Sequence, residues 1–299
     1  MDTGKTGIVL EGGGMRGMYT CGILDVLMEN HIYLDGMVGV SAGIAFGCNY
    51  KSGQAGRALR YNVRFARDRR YSGLWSLLKT GNYYNAWFAY HLVPKHYDVF
   101  DYNAFEESPM ECYAVCFDVN TGSGVYQRLD RVNDDFFEWI RASASMPVVA
   151  QPVEVGGRKL LDGGLADSIP LEFMMSKGFN RNVVILTRED GYRKTSEHGM
   201  WLMKPLLRKY PKVIEALQHR PALYNKQVQL VREQERKGAA FVFRPSKPLN
   251  VSRTTHDAKE MNRVYQQGRE EALQRLDELK KFLADPEESP TTGQSHEQP

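Results

Sequence analysis

Residues 32–43 read IYLDGMVGVSAG, a short apolar run that closes on a serine set between two glycines. The run MVGVS suits a buried strand and the residues from about Ala42 through Cys48 suit a helix, so the chain is expected to reverse at Ser41. A tight turn needs small neighbours, because bulky side chains would clash as the chain reverses. A serine at its apex then holds its hydroxyl clear of the backbone, which is how a nucleophile is mounted. The same five residues also suit an ordinary strand-to-helix turn, and the motif gains chemical meaning only from partners elsewhere.

Upstream, the pattern has already occurred once. IVLE at 8–11 reads as a buried strand, GGGMRG at 12–17 as a turn, and Met18, Cys21, Leu24 and Leu27 recur at helical spacing. Two strand, glycine turn, helix units within about 50 residues predict parallel strands joined by right-handed crossovers. The fold class is α/β, a mainly parallel sheet flanked by helices. Downstream, MECYAVCFDVNTG and GVYQRL suggest further strands, and a helix from Asp134 to Met146 is stopped by Pro147. A hairpin is expected to turn at Gly156 and Gly157, a helix to begin at Pro170, and strands to follow at 183–187 and 239–245. Residues 202–237 read as a helix in two pieces broken near Pro221. Residues 257–282 read as one helix docked by Val264, Gly268, Ala272, Leu276 and Leu279. The domain is therefore expected to span 5–284, with 285–299 a polar, proline-bearing tail expected to be disordered.

With 299 residues the chain can bury a substantial core, and a formal charge of +3 gives no bulk argument for nucleic acid. Four cysteines, Cys21, Cys48, Cys112 and Cys116, form no disulfide framework, so a reducing compartment is the plain expectation. The N-terminus passes from a polar start straight into a strand, without the apolar core of a secretory signal. A cytoplasmic protein, peripheral at most to a membrane, is expected.

Two further stretches carry chemistry. In EGGGMRGMYTCG, residues Gly12, Gly14 and Gly17 satisfy G-x-G-x-x-G between a strand and a helix, which permits a dinucleotide-binding reading. Against it, Asp35 stands before the second strand, whereas a ribose-binding acid is expected at that strand's end. The alternative is that amides at a helix start face a developing oxyanion, with Arg16 reinforcing the positive field or holding the loop by a salt bridge. In LLDGG, at 160–164, Asp162 can accept a serine proton, or it can simply cap a turn.

Together GGGMRG at 12–17, GVSAG at 39–43 and DGG at 162–164 resemble the patatin-like phospholipase family over about residues 7–188. The resemblance implies a three-layer α/β/α sandwich and a serine hydrolase of lipid esters, cleaving phospholipid or lysophospholipid acyl bonds through an acyl-enzyme. It implies Ser41 as nucleophile and Asp162 as its partner in a dyad that needs no histidine. It also implies an oxyanion loop of Gly12, Gly13, Gly14, Met15, Arg16 and Gly17, with the amides of Gly13, Gly14 and Met15 nearest the charge. Neither a metal nor a cofactor is required. ASASMP at 142–147 resembles the family's helix ending before a proline. A triad with His198 survives as a rival assignment, and a catalytically silent lipid-binding module as another.

The motifs leave residues 57–102 unexplained. Here Arg57, Arg60, Arg64 and Arg67, spaced by three and four, precede a segment rich in Tyr and Trp, far above the chain average of 11% aromatic. The spacing predicts one helical face that meets anionic membrane headgroups, within a cap over the site.

Overall fold

The computed structural model describes residues 4–195 and 200–284. Eight strands form one sheet: β1 (Lys5–Leu10), β2 (Gly36–Val40), β3 (Glu111–Asp118), β4 (Gly124–Arg128), β5 (Val153–Val155), β6 (Arg158–Asp162), β7 (Phe179–Ile185) and β8 (Ala240–Phe243). Their order is β5-β6-β3-β2-β1-β7-β8, with β4 also pairing β3. The contiguous run β3-β2-β1-β7-β8 is parallel, and β4, β5 and β6 are antiparallel additions at one side. The helices are α1 (Met18–Glu29), α2 (Ala42–Lys51), α3 (Arg57–Phe65), α4 (Leu74–Thr80), α5 (Tyr102–Glu107), α6 (Phe136–Ser143), α7 (Leu171–Ser176), α8 (Met200–Leu206), α9 (Pro211–Arg236), α10 (Ala258–Gln274) and α11 (Leu276–Ala284). A π-helical stretch covers Phe88–Tyr97.

Strand residues alternate between two cores because successive side chains leave a strand on opposite faces. Ile8, Leu10, Met37, Cys112, Ala114 and Cys116 enter the core beneath α1, α2, α6 and α10. Val9, Val38, Val40, Tyr113 and Val115 enter the core beneath α7 and α9. Both faces of the parallel strands are buried, which is why the strands read as apolar runs rather than as alternation. The expected three-layer α/β/α sandwich is the observed one. All four cysteines are buried and free.

Two helix boundaries differ from expectation. The break in 202–237 falls at 207–210, where Pro211 starts α9, while Pro221 sits inside α9 without ending it. Buried Val213, Leu217, Tyr224 and Val231 clamp α9 on both sides of Pro221, and that packing outweighs the lost hydrogen bond. The helix expected over 257–282 is broken at Arg275. Its guanidinium turns inward to donate to Val242 O at 2.7 Å and covers the Phe241 ring.

The C-terminal helix α10 docks on α1 through two glycines. A Cβ added at Gly22 would stand 2.1 Å from Tyr265 O, and one added at Gly268 would stand 2.1 Å from Tyr19 O. The backbones touch at both points, so neither position has room for a methyl. Gly268→Ala is expected to lower unfolding free energy by roughly 3 kcal/mol, the upper range for overpacking a closed contact, read as a shifted urea midpoint at constant slope. An unchanged midpoint would mean that this contact is not tight.

Candidate active site

Ser41 stands at the apex between β2 and α2 with φ 55° and ψ −124°, a left-handed conformation that a non-glycine residue adopts only when its surroundings enforce it. The flanking glycines explain the enforcement. A Cβ at Gly39 would meet Ile44 N at 2.5 Å, and one at Gly43 would meet Leu10 O at 2.4 Å. The turn therefore folds back on its own helix and presses against the end of β1.

Asp162 reaches the same place by strand register. Val40 pairs with Val115 of β3, and Asp162 pairs with the next residue, Cys116, while β4 holds the opposite edge over Tyr113–Phe117. β2 and β6 therefore follow one another along the same edge of β3, and Ser41 and Asp162 meet where their ends abut. The segment ASASMP ties both to that strand. Ser143 Oγ accepts the Ser41 N–H at 2.9 Å and donates to Val115 O at 2.6 Å, while Ser145 O accepts the Asp162 N–H at 2.8 Å. Sequence reading gave this segment only as a helix ending before a proline. Its small residues before a proline were the signal, but the partners of Ser143 are distant in sequence.

Both side chains are buried, Ser41 at 8% and Asp162 at 6% exposure. Desolvation pushes the Asp162 pKa above its ordinary 3.8, while the Ser41 hydroxyl hydrogen bond, the Arg220 charge, the Gly164 N–H and the Arg253 charge pull it back. Gly164 N donates to Asp162 Oδ1 at 2.8 Å, which fixes the carboxylate and leaves its other oxygen for the serine.

The glycine loop follows β1 directly. Glu11, buried at 2%, anchors it by accepting Thr187 N–H at 2.5 Å and Tyr224 O–H at 2.9 Å. Among the described residues, the N–H groups of Gly13 and Gly14 donate to none. Met15 differs from expectation: its N–H donates to Arg253 O at 3.0 Å and is not free for a substrate oxyanion. Gly17 begins the turn into α1 and packs on Phe46, away from the loop's open side. Among the described residues Arg16 is in no salt bridge. It is 7% exposed, its Nε lacks a hydrogen-bond partner, and burial beside Arg188 lowers its pKa to about 10.

Two cavities meet at Ser41. One is apolar, walled by Phe46, Tyr61, Tyr84, Tyr90, Ile140 and Met146, and the insert 57–102 supplies much of its roof. The other is polar and contains the glycine loop, Asp162 and several arginines. Asp35 lies far from either, at the opposite end of β2, where its carboxylate accepts Thr6 N–H and O–H. The geometry expected of a ribose-binding acid is therefore absent from that position. His198 lies outside the described residues.

Of the expected arginine face, Arg57 is turned inward, while Arg60, Arg64 and Arg67 are exposed. Arg57 is 3% exposed and donates to Asn49 Oδ1 at 2.7 Å and to Asp98 O at 3.0 Å. Arg60 pairs with the Asp98 carboxylate, Arg64 donates to Tyr97 O, and Arg67 lies beyond the end of α3. These side chains bind the helix to the π-helical stretch beside it. Large apolar side chains of the insert also face outward: Leu74 at 73%, Trp75 at 63%, Leu78 at 82% and Trp87 at 64% exposure.

A parallel α/β sheet carrying a strained serine turn and a glycine loop defines the class of α/β acyl hydrolases. The profile of patatin-like phospholipases matches residues 8–175, and the chain belongs to that family, making it a lipid acyl hydrolase. A second profile, described as a domain of unknown function (DUF6363), matches 210–284. That region supplies β8, Tyr224 and Arg253 to the structure just described. Over 268 residues the chain is 27% identical to the uncharacterized protein YjjU of Escherichia coli K12, covering 83% of this chain and 70% of that one. It is 29% identical over 189 residues to lysophospholipase NTE1 of Debaryomyces hansenii, covering 58% of this chain and 11% of that one. The chain thus spans about a tenth of that lysophospholipase's length. The crystal structure of VipD from Legionella pneumophila aligns with TM-score 0.45 and 13% identity over 92% of this chain and 67% of that one.

A carboxyl whose folded pKa exceeds its unfolded value holds its proton more tightly when folded. Ionising it therefore costs stability, fully above the folded pKa and not at all below the unfolded one. Asp162→Asn removes that cost while keeping the acceptor for Gly164 N–H. Its melting temperature is expected to equal or exceed that of the parent at about pH 8, with the difference shrinking toward about pH 4. A lower melting temperature at high pH would show the ionised carboxylate to be net stabilising.

Proposed function

We propose that this chain cleaves the carboxylic esters of phospholipids or lysophospholipids with Ser41 as nucleophile and Asp162 as base. The observation that carries this reading is the register along one edge of β3, where β2 and β6 end against each other and a buried carboxyl lies at the hydroxyl of a strained serine beside free amides. Residues 5–284 act in it as one hydrolase domain. The Ser41 proton passes to Asp162 as Oγ attacks the ester carbonyl. The N–H groups of Gly13 and Gly14, together with the helix start at Ala42, stabilise the oxyanion as charge develops. Collapse expels the alcohol, which takes the proton from Asp162 and leaves an acyl-enzyme. Water then gives a proton to Asp162, attacks the acyl carbon, and releases the fatty acid as Ser41 regains its proton.

Desolvation makes Asp162 a stronger base than a surface aspartate, so catalysis gains from the same burial that costs stability. The acyl chain lies in the apolar cavity. The lysophospholipase identity of the yeast relatives supports a lipid substrate for this chain.

Ser41→Ala and Asp162→Asn are each expected to lower kcat on a short-chain ester by about a thousand-fold or more with the fold intact by circular dichroism. A serine-directed phosphonate labels the parent and leaves Ser41→Ala unlabelled. Parent-like turnover in either folded variant removes that residue from the mechanism. Absence of both labelling and turnover in the parent favours a silent lipid-binding module.

A membrane surface is the proposed partner, met by apolar side chains rather than by the arginines of α3. Leu74, Trp75 and Leu78 project from α4 while Ser76 on its other side is buried, and residues 82–84 pinned beneath it wall the apolar cavity. No helix among the described residues is long and apolar enough to cross a membrane. Immersing these side chains in the interface would bring the cavity wall to the lipid, with exposed Arg69, Arg70 and Lys79 close in sequence to favour anionic headgroups. Trp75→Glu with Leu78→Glu is expected to weaken vesicle sedimentation about ten-fold or more, since each loses an inserted apolar group. Arg60→Gln with Arg64→Gln should change it little. The reverse ranking would return the contact to α3.

A further inference from the structure

The polar cavity beside Ser41 is lined by more positive charge than its carboxylates can answer. Arg16, Arg188 and Arg253 all border it, and their mutual repulsion reaches Arg16, whose Nε is buried without a partner. Among the described residues, neither Arg188 nor Arg253 is in an ion pair. Arg188 instead covers the Tyr192 ring at 4.2 Å. Lys194 and Arg220 line the cavity as well, with partners of their own. Of the carboxylates present, Glu11 has both oxygens engaged by Thr187 and Tyr224, and Asp162 is committed to Ser41 and Gly164. Three guanidinium groups bordering one cavity, with that of Arg16 desolvated, are an arrangement that an anion with several oxygens would relieve, because each charge-assisted hydrogen bond offsets both repulsion and lost hydration.

We infer that this cavity binds a phosphate group, and that the phosphate belongs to the lipid substrate. The inference rests on the acyl-hydrolase reading for its orientation. The two cavities share Gly14, Ser41, Met146, Val149 and Arg253, so a single amphiphile lying across the serine puts its chain in one and its headgroup in the other. The ester between chain and phosphate then lies at Ser41. Arg253 gives the site its particular character. It comes from the region beyond the patatin-like match, and its carbonyl accepts the Met15 N–H, so the C-terminal segment holds the glycine loop with backbone and offers charge with side chain. The two roles are separable, since a side-chain substitution leaves the carbonyl in place.

Binding to Ser41→Ala protein tests this without reference to turnover. Oleoyl lysophosphatidic acid, titrated below its micelle concentration, is expected to bind about ten-fold tighter or more than monooleoylglycerol, which has the same chain and no phosphate. Arg188→Gln with Arg253→Gln should bring the two ligands to near parity, and Arg188→Lys with Arg253→Lys should retain most of the preference. Should the glutamine pair fail to fold, Arg188→Gln alone, at a half-exposed position, makes the same comparison. Equal binding of the two lipids by the Ser41→Ala protein, or a preference untouched by the glutamine variants, overturns the inference. Glycerol 3-phosphate, carrying the anion without the chain, is expected to bind at least about ten-fold more weakly than the lysolipid. If it binds as tightly, the cavity serves a free phosphate ester and the lipid assignment fails. None of these outcomes depends on catalysis, so absent hydrolysis with intact phosphate preference would reject the dyad and leave this site standing.

Discussion

The arrangement depends on one strand, β3, serving as a common ruler for two others. Parallel pairing with β2 sets the height of Ser41, and antiparallel pairing with β6 sets the height of Asp162. Side-chain period in a strand is two, so a slip of one residue in either pairing would turn a reactive group to the other face of the sheet. Ser143 guards the register at the point where it matters, bonding at once to the Ser41 amide and to a β3 carbonyl. Small residues are required there because helix α6 ends directly above the strand. A larger side chain at Ser143 would have to displace either the turn or the ladder.

Around that ruler the protein concentrates features that oppose stability. Ser41 is held at positive φ, a conformation that costs on the order of 1–3 kcal/mol. Asp162 is desolvated, and Arg16 is buried with an unpartnered nitrogen. Such groups persist because the surrounding packing leaves no room to relax: Gly43 against β1, Gly22 and Gly268 between α1 and α10, and Glu11 fastened to Thr187 and Tyr224. Burial weakens the acidity of Asp162, which is what a general base near neutral pH needs. The C-terminal region belongs to this scaffold as fully as the family core does, since it extends the sheet through β8 and braces the glycine loop through Arg253.

The insert buries one arginine, Arg57, and exposes large apolar side chains beside charged ones. Arg57, Arg60 and Arg64 satisfy carbonyls and the Asp98 carboxylate, and they stack on Tyr61, Phe65 and Tyr97. An arginine offers five donors on a planar group, so it can tie an irregular helix whose carbonyls have lost their regular partners. Beside these tied but largely exposed arginines, the first turns of α4 present leucine and tryptophan to the outside. A protein that exposes side chains of this size together gains from an apolar surrounding, and a lipid interface supplies one.

The sequence alone determined the α/β class, because hydrophobic runs of strand length alternate with helical periodicity and the glycine turns stand between them. It also singled out Ser41 and Asp162, since GVSAG and DGG carry their own geometric requirements in the size of their neighbours. Sequence periodicity gave Arg57, Arg60, Arg64 and Arg67 a common helical face but could not say whether that face met water or another element. Only the tertiary structure brought Asp98 and Tyr97 against it. In the same way, the Met15 amide looked free in its local motif, and the carbonyl that occupies it lies 238 positions onward in Arg253. The continuation of α9 through Pro221 and the helix break at Arg275 were likewise decided by packing rather than by local propensity. The division has one physical cause: backbone conformation and side-chain period are local properties of the chain, whereas the partner that satisfies a charge or an amide is chosen by which distant segments the folded core brings together.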